Sequence, residues 1–383
     1  MSVYIHNIET MVPETSYPQS FVREKVKKWL DRPEKINRYI DIYYNRSQIQ
    51  KRHSVITDLD AFYGVCEDKT SSRPTTKMRN DVFTLEAKRF YTDLARNVIA
   101  AATHIERNDI THIVTVSCTG FFNPGPDFEI VKSLDLNKTV KRYNIGFMGC
   151  YAAFPGLRLA YDICRADTNA VVLVVAVELC TLHAQLNQDL DSIRSEALFA
   201  DGGAAVLVSS NRSLGDNNVF ELMQFQSSII PDSEDKMAWT IGDNGFEMVL
   251  SQYIPTIIGA NIKDILEPVF SAYNLTLSDI DHWAVHPGGK AIVDKIDASL
   301  GLKNRLNESR SVLKQYGNMS SATVLFVLKE ILNKPFNGNK ESVMSMAFGP
   351  GLTVETAYMN KLNVKPRTNR EQVDLLTADI KEP

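Results

Sequence analysis

The 383-residue sequence contains little cysteine and little histidine, and neither is spaced for a disulfide framework or a metal site. Its cysteines number five, an odd count, and none form a C-x-x-C pair: Cys66, Cys118, Cys150, Cys164 and Cys180. An odd, scattered set does not fit a disulfide-stapled domain or a zinc ribbon. We therefore expect no bound metal, and free thiols in a reducing, cytoplasmic compartment.

The sequence also lacks an excess of positive charge and a long apolar run. Its formal net charge is −4 with no extended basic block, so we expect no nucleic-acid partner. The longest apolar run, Ala170 to Val177, is eight residues and too short to cross a bilayer. The segment "MSVYIHNIETMVPE" has no basic stretch followed by an apolar one, so neither a signal peptide nor a membrane partner is expected.

Buried strands and helices alternate along the first half of the chain. "ITHIVTVSCTGF" and "AVVLVVAVELC" are apolar almost throughout, as in central strands that are covered on both faces. Between Arg73 and Arg79 we expect a polar loop, followed by the long helix "DVFTLEAKRFYTDLARNVIAAATH". "ALFADGGAAVLVSSN" reads as a glycine-rich turn that feeds another strand. This alternation predicts an α/β protein.

A similar order of elements returns in the second half. It comprises a strand-like "VFELMQFQSSIIP", a mostly helical segment from Phe246 interrupted at Pro255, and the strand "IDHWAVHP". An amphipathic helix over Ser321 to Leu332 and two strands joined by a glycine turn complete it. We therefore predict two similar halves, residues 1–211 and 212–360, followed by a polar tail over residues 361–383.

Cys150 lies between a run of small residues and the start of an amphipathic helix, in "NIGFMGCYAAFPGLRLAYDIC". Exposed backbone N–H groups at a helix N-terminus stabilise a thiolate and lower the thiol pKa. A small buried residue would fit the same position equally well, because free cysteine is often buried. The segment alone leaves both interpretations open.

Two further residues stand where a polar side chain could serve chemistry. His286 ends a predicted strand just before Pro287, Gly288 and Gly289, and Asn318 precedes a small-residue entrance to a helix. Alone, His286 suits a structural histidine and Asn318 a helix cap. Together with Cys150 they fit acyl transfer: the thiolate accepts an acyl group, and imidazole and amide donors stabilise an enolate formed by decarboxylation.

The motifs "GCYAAF", "HPGGKAI", "YGNMSSATVLFVL" and "FGPGLTVET" resemble those of the type III polyketide synthases, the chalcone-synthase-like family of the thiolase superfamily. They occur in the family's order, and "SCTGFFNPGPD" is more similar to bacterial members than to plant ones. The resemblance implies a five-layered αβαβα thiolase fold of two duplicated halves, working as a homodimer. It also implies an acyl-CoA starter and malonyl-CoA as substrates, with no cofactor.

The resemblance assigns roles to individual residues. Cys150 would carry the starter and the growing chain, while His286 and Asn318 would decarboxylate malonyl-CoA and stabilise its enolate; His286 would also hold the Cys150 thiolate in an ion pair. The remaining residues would gate the cavity or line it: Phe199, Met248, His183, Phe348, Gly349 and Gly351. Cys118 could face the cavity, although a buried structural thiol is the preferred interpretation.

Binding of the CoA phosphates requires cations at the mouth of the tunnel. The resemblance places Arg46, Lys51 and Arg52 there, although a solvated helix face explains the same charges. Gly288 and Gly289 would let the pantetheine arm approach the backbone, and Lys290, where the family usually has proline, would add a cation.

Ala153 and Phe154 replace a Gly-Gly pair of plant members and put a flavonoid-type starter in doubt. A pyrone, resorcinol or phloroglucinol-type product remains open, and so does the alternative of a ketoacyl-ACP-synthase-III-like enzyme that condenses once.

Overall fold

The structure is a computed structural model that describes residues 1–29, 33–63, 73–187, 189–215, 218–335 and 338–363. Cys66 and residues 364–383 of the expected tail lie outside these ranges. The described strands are β1 Val3–Met11, β2 Ser16–Pro18, β3 Lys51–His53, β4 His112–Ser117, β5 Lys141–Gly146, β6 Val171–Leu179, β7 Asp201–Ser209, β8 Asn218–Ile229, β9 Met237–Gly242, β10 Gly245–Leu250, β11 His282–Val285, β12 Lys340–Gly349 and β13 Thr353–Asn363.

The described helices surround these strands and also separate them. They are α1 Gln19–Trp29, α2 Glu34–Arg46, α3 Leu59–Tyr63, α4 Thr76–Ala100, α5 Pro126–Leu134, α6 Ala153–Ala166, α7 Leu190–Glu196, α8 Ile254–Tyr273, α9 Lys290–Leu300, α10 Asn307–Tyr316 and α11 Thr323–Leu332.

Nine strands form one mixed sheet in the order β11-β12-β13-β8-β1-β7-β6-β4-β5. β1 pairs with β7 of the first half and with β8 of the second, so hydrogen bonding is continuous between the halves. β4 is parallel to both β5 and β6, and β11 is parallel to β12. Every residue of β6 is buried, which confirms the prediction that this apolar run is covered on both faces.

Three hydrophobic cores stack the chain into layers. The central core joins α6 and α11 to strands of both halves, while α4 covers the outer face of β4, β6 and β7. A third core packs α8 and α9 against β11, β12 and β13. The two halves of the one continuous sheet thus lie on either side of α6 and α11, with α4 outside one half and α8 and α9 outside the other, which confirms the five-layered αβαβα arrangement.

Arg79 lies inside helix α4 and not in a polar loop, because the helix already begins at Thr76. Thr75 caps the helix: its Oγ1 accepts the Met78 N–H at 3.3 Å. The Arg79 guanidinium is buried and donates to the carbonyls of Pro74 at 3.0 Å and Ala184 at 3.1 Å. Residues 73–75 lie in a loop as predicted, and the prediction is wrong from Thr76 onward, because a buried arginine that binds backbone carbonyls looks like a surface residue in sequence.

Other boundaries also differ from the sequence predictions. Strand β5 precedes Cys150, and β10 occupies the start of the segment that was predicted helical from Phe246. Pro255 lies in the first turn of α8, where its missing N–H costs no helical hydrogen bond. Gly203 was predicted to lie in a glycine-rich turn, but it lies within β7. An added Cβ there would lie 2.6 Å from Leu94 Cδ1, so the close packing of α4 on β7 explains this glycine.

Two predictions near the C-terminal end need correction. Helix α11 is buried on most of its surface and is not amphipathic, because it lies in the middle helical layer between the sheets. β13 continues to Asn363, so a tail beginning at residue 361 starts too early. Lys361 is buried in this strand and its Nζ donates to the Lys334 carbonyl at 3.0 Å.

Candidate active site

Cys150 lies in a tight turn between β5 and α6, held by the loop that joins β12 to β13. Gly149 has a φ of +82°, and an added Cβ there would meet Pro350 Cδ at 2.5 Å. A Cβ on Gly349 would lie 2.5 Å from Tyr151 Cδ1 and 3.4 Å from the Cys150 nitrogen. Glycine is therefore required on both sides of this contact, and the FGPG loop fixes the position of the Cys150 turn.

His286 follows β11, and its backbone N–H donates to the Met346 carbonyl at 2.8 Å. Its ring is buried, and neither Nδ1 nor Nε2 has a hydrogen-bond partner among the described residues. The ring packs on Gly288, where an added Cβ would lie 3.4 Å from the imidazole Nε2. A buried, unpartnered imidazole is costly unless a ligand satisfies it, so His286 is available to a substrate.

Asn318 is fixed by backbone pairing with the segment of Phe199. The Asn318 N–H donates to the Leu198 carbonyl at 2.9 Å, and the Ala200 N–H donates to the Asn318 carbonyl at 2.8 Å. The Asn318 Oδ1 accepts the Ser320 N–H at 2.9 Å. This contact orients the amide so that Nδ2 donates to the Gly288 carbonyl at 3.3 Å and also bonds to the Cys150 thiol.

Burial acts in opposite directions on the thiol and the imidazole. It raises the pKa of Cys150 to about 12, against the lowering effect of hydrogen bonds from Ser320 and Asn318. It lowers the pKa of His286 to about 3, so the imidazole is neutral at neutral pH. Burial therefore favours the neutral form of both groups and does not favour the Cys150–His286 ion pair that the resemblance implies. A neutral His286 can instead take the proton as the thiol reacts.

Sequence analysis missed Glu178, a buried acidic residue that contacts Cys118. Glu178 accepts hydrogen bonds from the Cys118 N–H at 3.1 Å and from Thr119 Oγ1 at 2.8 Å, and burial raises its pKa. Cys118 lines the cavity, with its Sγ 3.2 Å from Ser320 Oγ. Cys118 therefore faces the cavity, and the preferred interpretation of a buried structural thiol was wrong on this point.

The sequence did contain a signal for Glu178, because it is a single acidic residue in the otherwise apolar strand β6.

One cavity brings most of the expected site residues together. Its wall includes Cys150, His286, Asn318, Phe199, Met248, His183 and Phe348. Gly349 and Gly351 do not line it: Gly349 packs on Tyr151, and Gly351 forms the following turn with a φ of +122°. Phe154 is buried in the central core, so its side chain supports helix α6 and does not touch the cavity.

A second pocket adjoins the cavity, and both are lined by Leu250, Gly288 and Ile292. Of the expected CoA-binding residues, Arg46, Gly289 and Lys290 lie here. Arg46 is exposed, whereas Lys290 forms an ion pair with Asp294. A cation beside a pocket that leads to the thiol suits a phosphate-bearing thioester.

Arg52 and Lys51 are not placed at this mouth. Arg52 lies in the cavity wall, buried, where it donates to Gln19 Oε1 at 2.9 Å and to the Phe199 carbonyl at 2.8 Å. Its Nε and Nη1 atoms bond to Gln19 and to the backbone carbonyls of Glu196 and Phe199, which does not favour a phosphate-binding role. Lys51 lies on β3 and lines neither pocket.

Within the described ranges, no group of three or more His, Cys, Asp or Glu side chains is arranged to hold a metal ion. None of the helices in that part of the chain is long and apolar enough to cross a membrane.

Comparison with known proteins extends over nearly all of the described chain. Residues 4–212 match the N-terminal domain of chalcone and stilbene synthases, and residues 221–363 match the C-terminal domain. A similar solved structure is PKS-I from the brown alga Ectocarpus siliculosus, 28% identical with a TM-score of 0.84, covering 94% of this chain and 99% of that one.

Another is the C-terminal type III polyketide synthase domain of Steely1, a type I/III hybrid from Dictyostelium. It is 26% identical with a TM-score of 0.86, covering 95% of this chain and 100% of that one. The motifs, the layered fold and the shared cavity agree with these matches. The chain belongs to the chalcone and stilbene synthase family, and is a type III polyketide synthase, an acyltransferase that catalyses decarboxylative condensation.

Proposed function

We propose that the enzyme loads an acyl-CoA starter on Cys150, decarboxylates malonyl-CoA and condenses the two repeatedly, releasing a cyclised pyrone, resorcinol or phloroglucinol-type product. The observation that supports this most is the grouping of an unpartnered imidazole and an amide donor around Cys150 in one cavity. The His286 ring has no hydrogen-bond partner among the described residues, and the Asn318 side chain, which bonds to the Cys150 thiol, lies in the same cavity wall. Two neutral donors at one point are what a developing enolate oxygen requires.

In the loading step, Cys150 Sγ attacks the thioester carbonyl of the starter while His286 accepts the thiol proton. The C–S bond to CoA breaks, and His286 returns the proton to the departing CoA thiolate. Because burial lowers its pKa, His286 is neutral and a ring nitrogen has a lone pair that can take the thiol proton as the sulfur attacks. The acyl group then remains as a thioester on Cys150.

In the extension step, malonyl-CoA places its thioester oxygen against Asn318 Nδ2 and a ring N–H of His286. Loss of carbon dioxide leaves the electron pair as an enolate, whose charge on that oxygen both donors stabilise. The enolate carbon attacks the acyl carbonyl on Cys150, and the new C–C bond forms as the bond to Sγ breaks. Transfer of the longer chain back to Cys150 permits another round.

The loading step is tested by intact-protein mass spectrometry after incubation with an acyl-CoA in the absence of malonyl-CoA. We expect the mass of one acyl group, mapped to Cys150 by peptide analysis and absent in Cys150→Ala. Cys118→Ala is the matched control, because it removes the neighbouring cavity thiol and should still be acylated. Acylation that persists in Cys150→Ala would contradict the assignment.

The alternative is a single-condensation ketosynthase, which shares this type of residue set. It predicts one extension per starter, or a need for malonyl groups bound to a carrier protein. Malonyl-CoA as sole extender, with two or more units incorporated, supports the proposed iterative enzyme.

We further propose that the enzyme works as a homodimer in the cytoplasm. Strand β5 is an exposed edge of the sheet, and Phe121, Phe128 and Tyr143 beside it are each 40% exposed. An edge strand with exposed aromatic residues favours association with a second copy. The four described cysteines are all unpaired, which fits a reducing compartment. Light scattering of the purified protein measures its mass in solution, and a monomer would contradict the dimer.

A further inference from the structure

Arg194 lies in the last turn of α7 and lines the second pocket, and the proposed mechanism gives it no role. The second pocket adjoins the cavity of Cys150 at Leu250, Gly288 and Ile292, which line both. We call this junction the passage. Arg194 lines the second pocket and not the cavity, so it lies on the outer side of the passage, away from the thiol.

The Arg194 guanidinium joins α2, α7 and β10. Its Nη1 donates to the Leu250 carbonyl at the end of β10 at 2.5 Å, and its Nη2 donates to the Tyr43 hydroxyl on α2 at 3.2 Å. The guanidinium also lies over the Tyr43 ring, 5.2 Å from its centroid, and forms an ion pair with Asp191 of α7. Leu250 and Tyr43 themselves line the second pocket, so Arg194 ties two of its walls together.

The Nε–H of this guanidinium has no acceptor. Arg194 Nε is buried and makes no hydrogen bond among the described residues. A buried N–H without an acceptor costs free energy, and a bound ligand with a carbonyl oxygen removes that cost. The contacts at Nη1 and Nη2 hold the planar guanidinium in place, so Nε is oriented before a ligand binds.

The ion pair with Asp191 decides which kind of ligand group suits Arg194. Asp191 offsets the guanidinium charge, so a phosphate gains less there than beside Arg46, which is exposed and has no ion-pair partner among the described residues. A neutral carbonyl oxygen needs only the N–H donor. Between its phosphates and its sulfur, CoA carries two amide carbonyls in the pantetheine arm.

We propose that Arg194 binds the pantetheine arm of the CoA thioesters, with its Nε–H donating to the amide carbonyl that is farther from the sulfur. This inference rests on the proposed function, because it takes CoA thioesters as the substrates. The nearer amide enters the passage toward Cys150, whereas the farther amide stays in the second pocket that Arg194 lines. Arg194 thus holds and orients the arm and takes no part in bond making.

The test compares three malonyl thioesters with arms of increasing length. N-acetylcysteamine retains the amide nearer to the sulfur, pantetheine has both amides, and CoA adds the phosphates. Carbon dioxide release gives kcat and KM for each. Arg194→Met keeps the length of the side chain and removes its donors, and it should raise the KM for malonyl-pantetheine and malonyl-CoA about tenfold or more. The KM for malonyl-N-acetylcysteamine, and kcat for all three, should stay within about twofold, because neither depends on the farther amide.

Three further variants separate the arm from other causes. Arg46→Ala should raise the KM for malonyl-CoA and leave malonyl-pantetheine within about twofold, because it removes a phosphate contact only. Arg194→Lys keeps the charge but has no Nε–H, so its KM for malonyl-pantetheine should remain raised by at least about fivefold. Arg165→Met is the matched control: Arg165 also lies over a tyrosine, Tyr161, and donates to its hydroxyl at 3.3 Å, but this pair lines neither pocket. It should change none of the constants.

Tyr43→Phe tests the same contact with a smaller change to the fold. It keeps the ring beside the guanidinium and removes the hydroxyl that Arg194 Nη2 binds. The KM for malonyl-pantetheine and malonyl-CoA should rise about two- to fourfold, because the guanidinium loses one of the bonds that orient Nε. Constants equal to wild type across the series would contradict this orientation.

The failures of the two proposals are distinguishable. In Arg194→Met, equal slowing of all three thioesters, or a raised KM for malonyl-CoA alone, would overturn the inference, and so would a wild-type KM for malonyl-pantetheine in Arg194→Lys. Absence of carbon dioxide release from every malonyl thioester by the wild-type enzyme, or of acylation at Cys150, would instead contradict the proposed function.

Discussion

Replacement of Asn318 by aspartate is the sharpest probe of the decarboxylation geometry, because aspartate has the same shape. One carboxylate oxygen could still accept the Ser320 N–H that Oδ1 accepts at 2.9 Å. The other would replace Nδ2, facing the Gly288 carbonyl at 3.3 Å and the place where the enolate forms. The variant therefore keeps the local scaffold and reverses the electrostatics at one atom.

Two contributions set the size of the effect. Loss of one oxyanion donor lowers the rate by about 10²–10³-fold. A carboxylate at roughly 4 Å from the enolate oxygen adds a repulsion of about 4 kcal/mol at an effective dielectric constant of about 20. Asn318→Ala should therefore lose about 10²–10³ in rate, and Asn318→Asp should be slower still by at least about tenfold.

The assay follows carbon dioxide release from carboxyl-labelled malonyl-CoA, and intact-protein mass reports acylation of Cys150 in the same samples. Acylation should survive in both variants, which shows that they are folded and that loading is intact. If Asn318 were only a structural residue, the aspartate would be the milder change, because it retains the Ser320 contact. An aspartate variant faster than the alanine variant would refute the reasoning.

Three further predictions follow from the site. Burial raises the Cys150 pKa to about 12, so the thiol needs a base to react at neutral pH. His286→Gln should therefore slow alkylation of Cys150 by iodoacetamide at pH 7 at least about 10²-fold, and the rate in this variant should rise steadily through alkaline pH. A pH profile unchanged from wild type would contradict the role of His286 as base. Gly349→Ala places a methyl 2.5 Å from Tyr151 Cδ1 and should lower stability by about 1–3 kcal/mol, whereas Gly338→Ala, with no described heavy atom within 4 Å, should leave the melting temperature near that of wild type. Equal melting temperatures for these two variants would argue against a tight FGPG contact. Arg46→Ala should raise the KM for malonyl-CoA more than Lys290→Ala does, because Lys290 is paired with Asp294. Neither substitution should alter the KM for malonyl-N-acetylcysteamine, which lacks the phosphates. A larger rise in KM for Lys290→Ala than for Arg46→Ala would contradict the placement of CoA.

The layered fold and the catalytic residues could be predicted because their sequence signals are local. A buried strand such as β6 can be predicted from its apolar composition alone. Cys150, His286 and Asn318 can be recognised because each lies in a short motif that contains glycine. Glycine is required at position 349 because an added Cβ would lie 2.5 Å from Tyr151 Cδ1, so part of the signal has a direct steric cause. Similar constraints mark the turn at Gly149.

The parts that sequence reasoning missed depend on long-range contacts. Arg79 and Arg52 carry charges that predict a surface or phosphate site, yet both are buried and bind backbone carbonyls. Glu178 bonds to the cavity residue Cys118 only because β6 brings it there, although the two residues are sixty positions apart in sequence. The charge of a residue and the hydrophobic periodicity around it do not predict which distant backbone group its side chain contacts in the fold.

The central claim is that this enzyme extends one starter repeatedly, and mass spectrometry of products from isotopically labelled malonyl-CoA tests it most directly. The account predicts products that contain two or more labelled two-carbon units per starter, with malonyl-CoA as the sole extender. Products with a single unit, or formed only from carrier-bound malonyl groups, would contradict it.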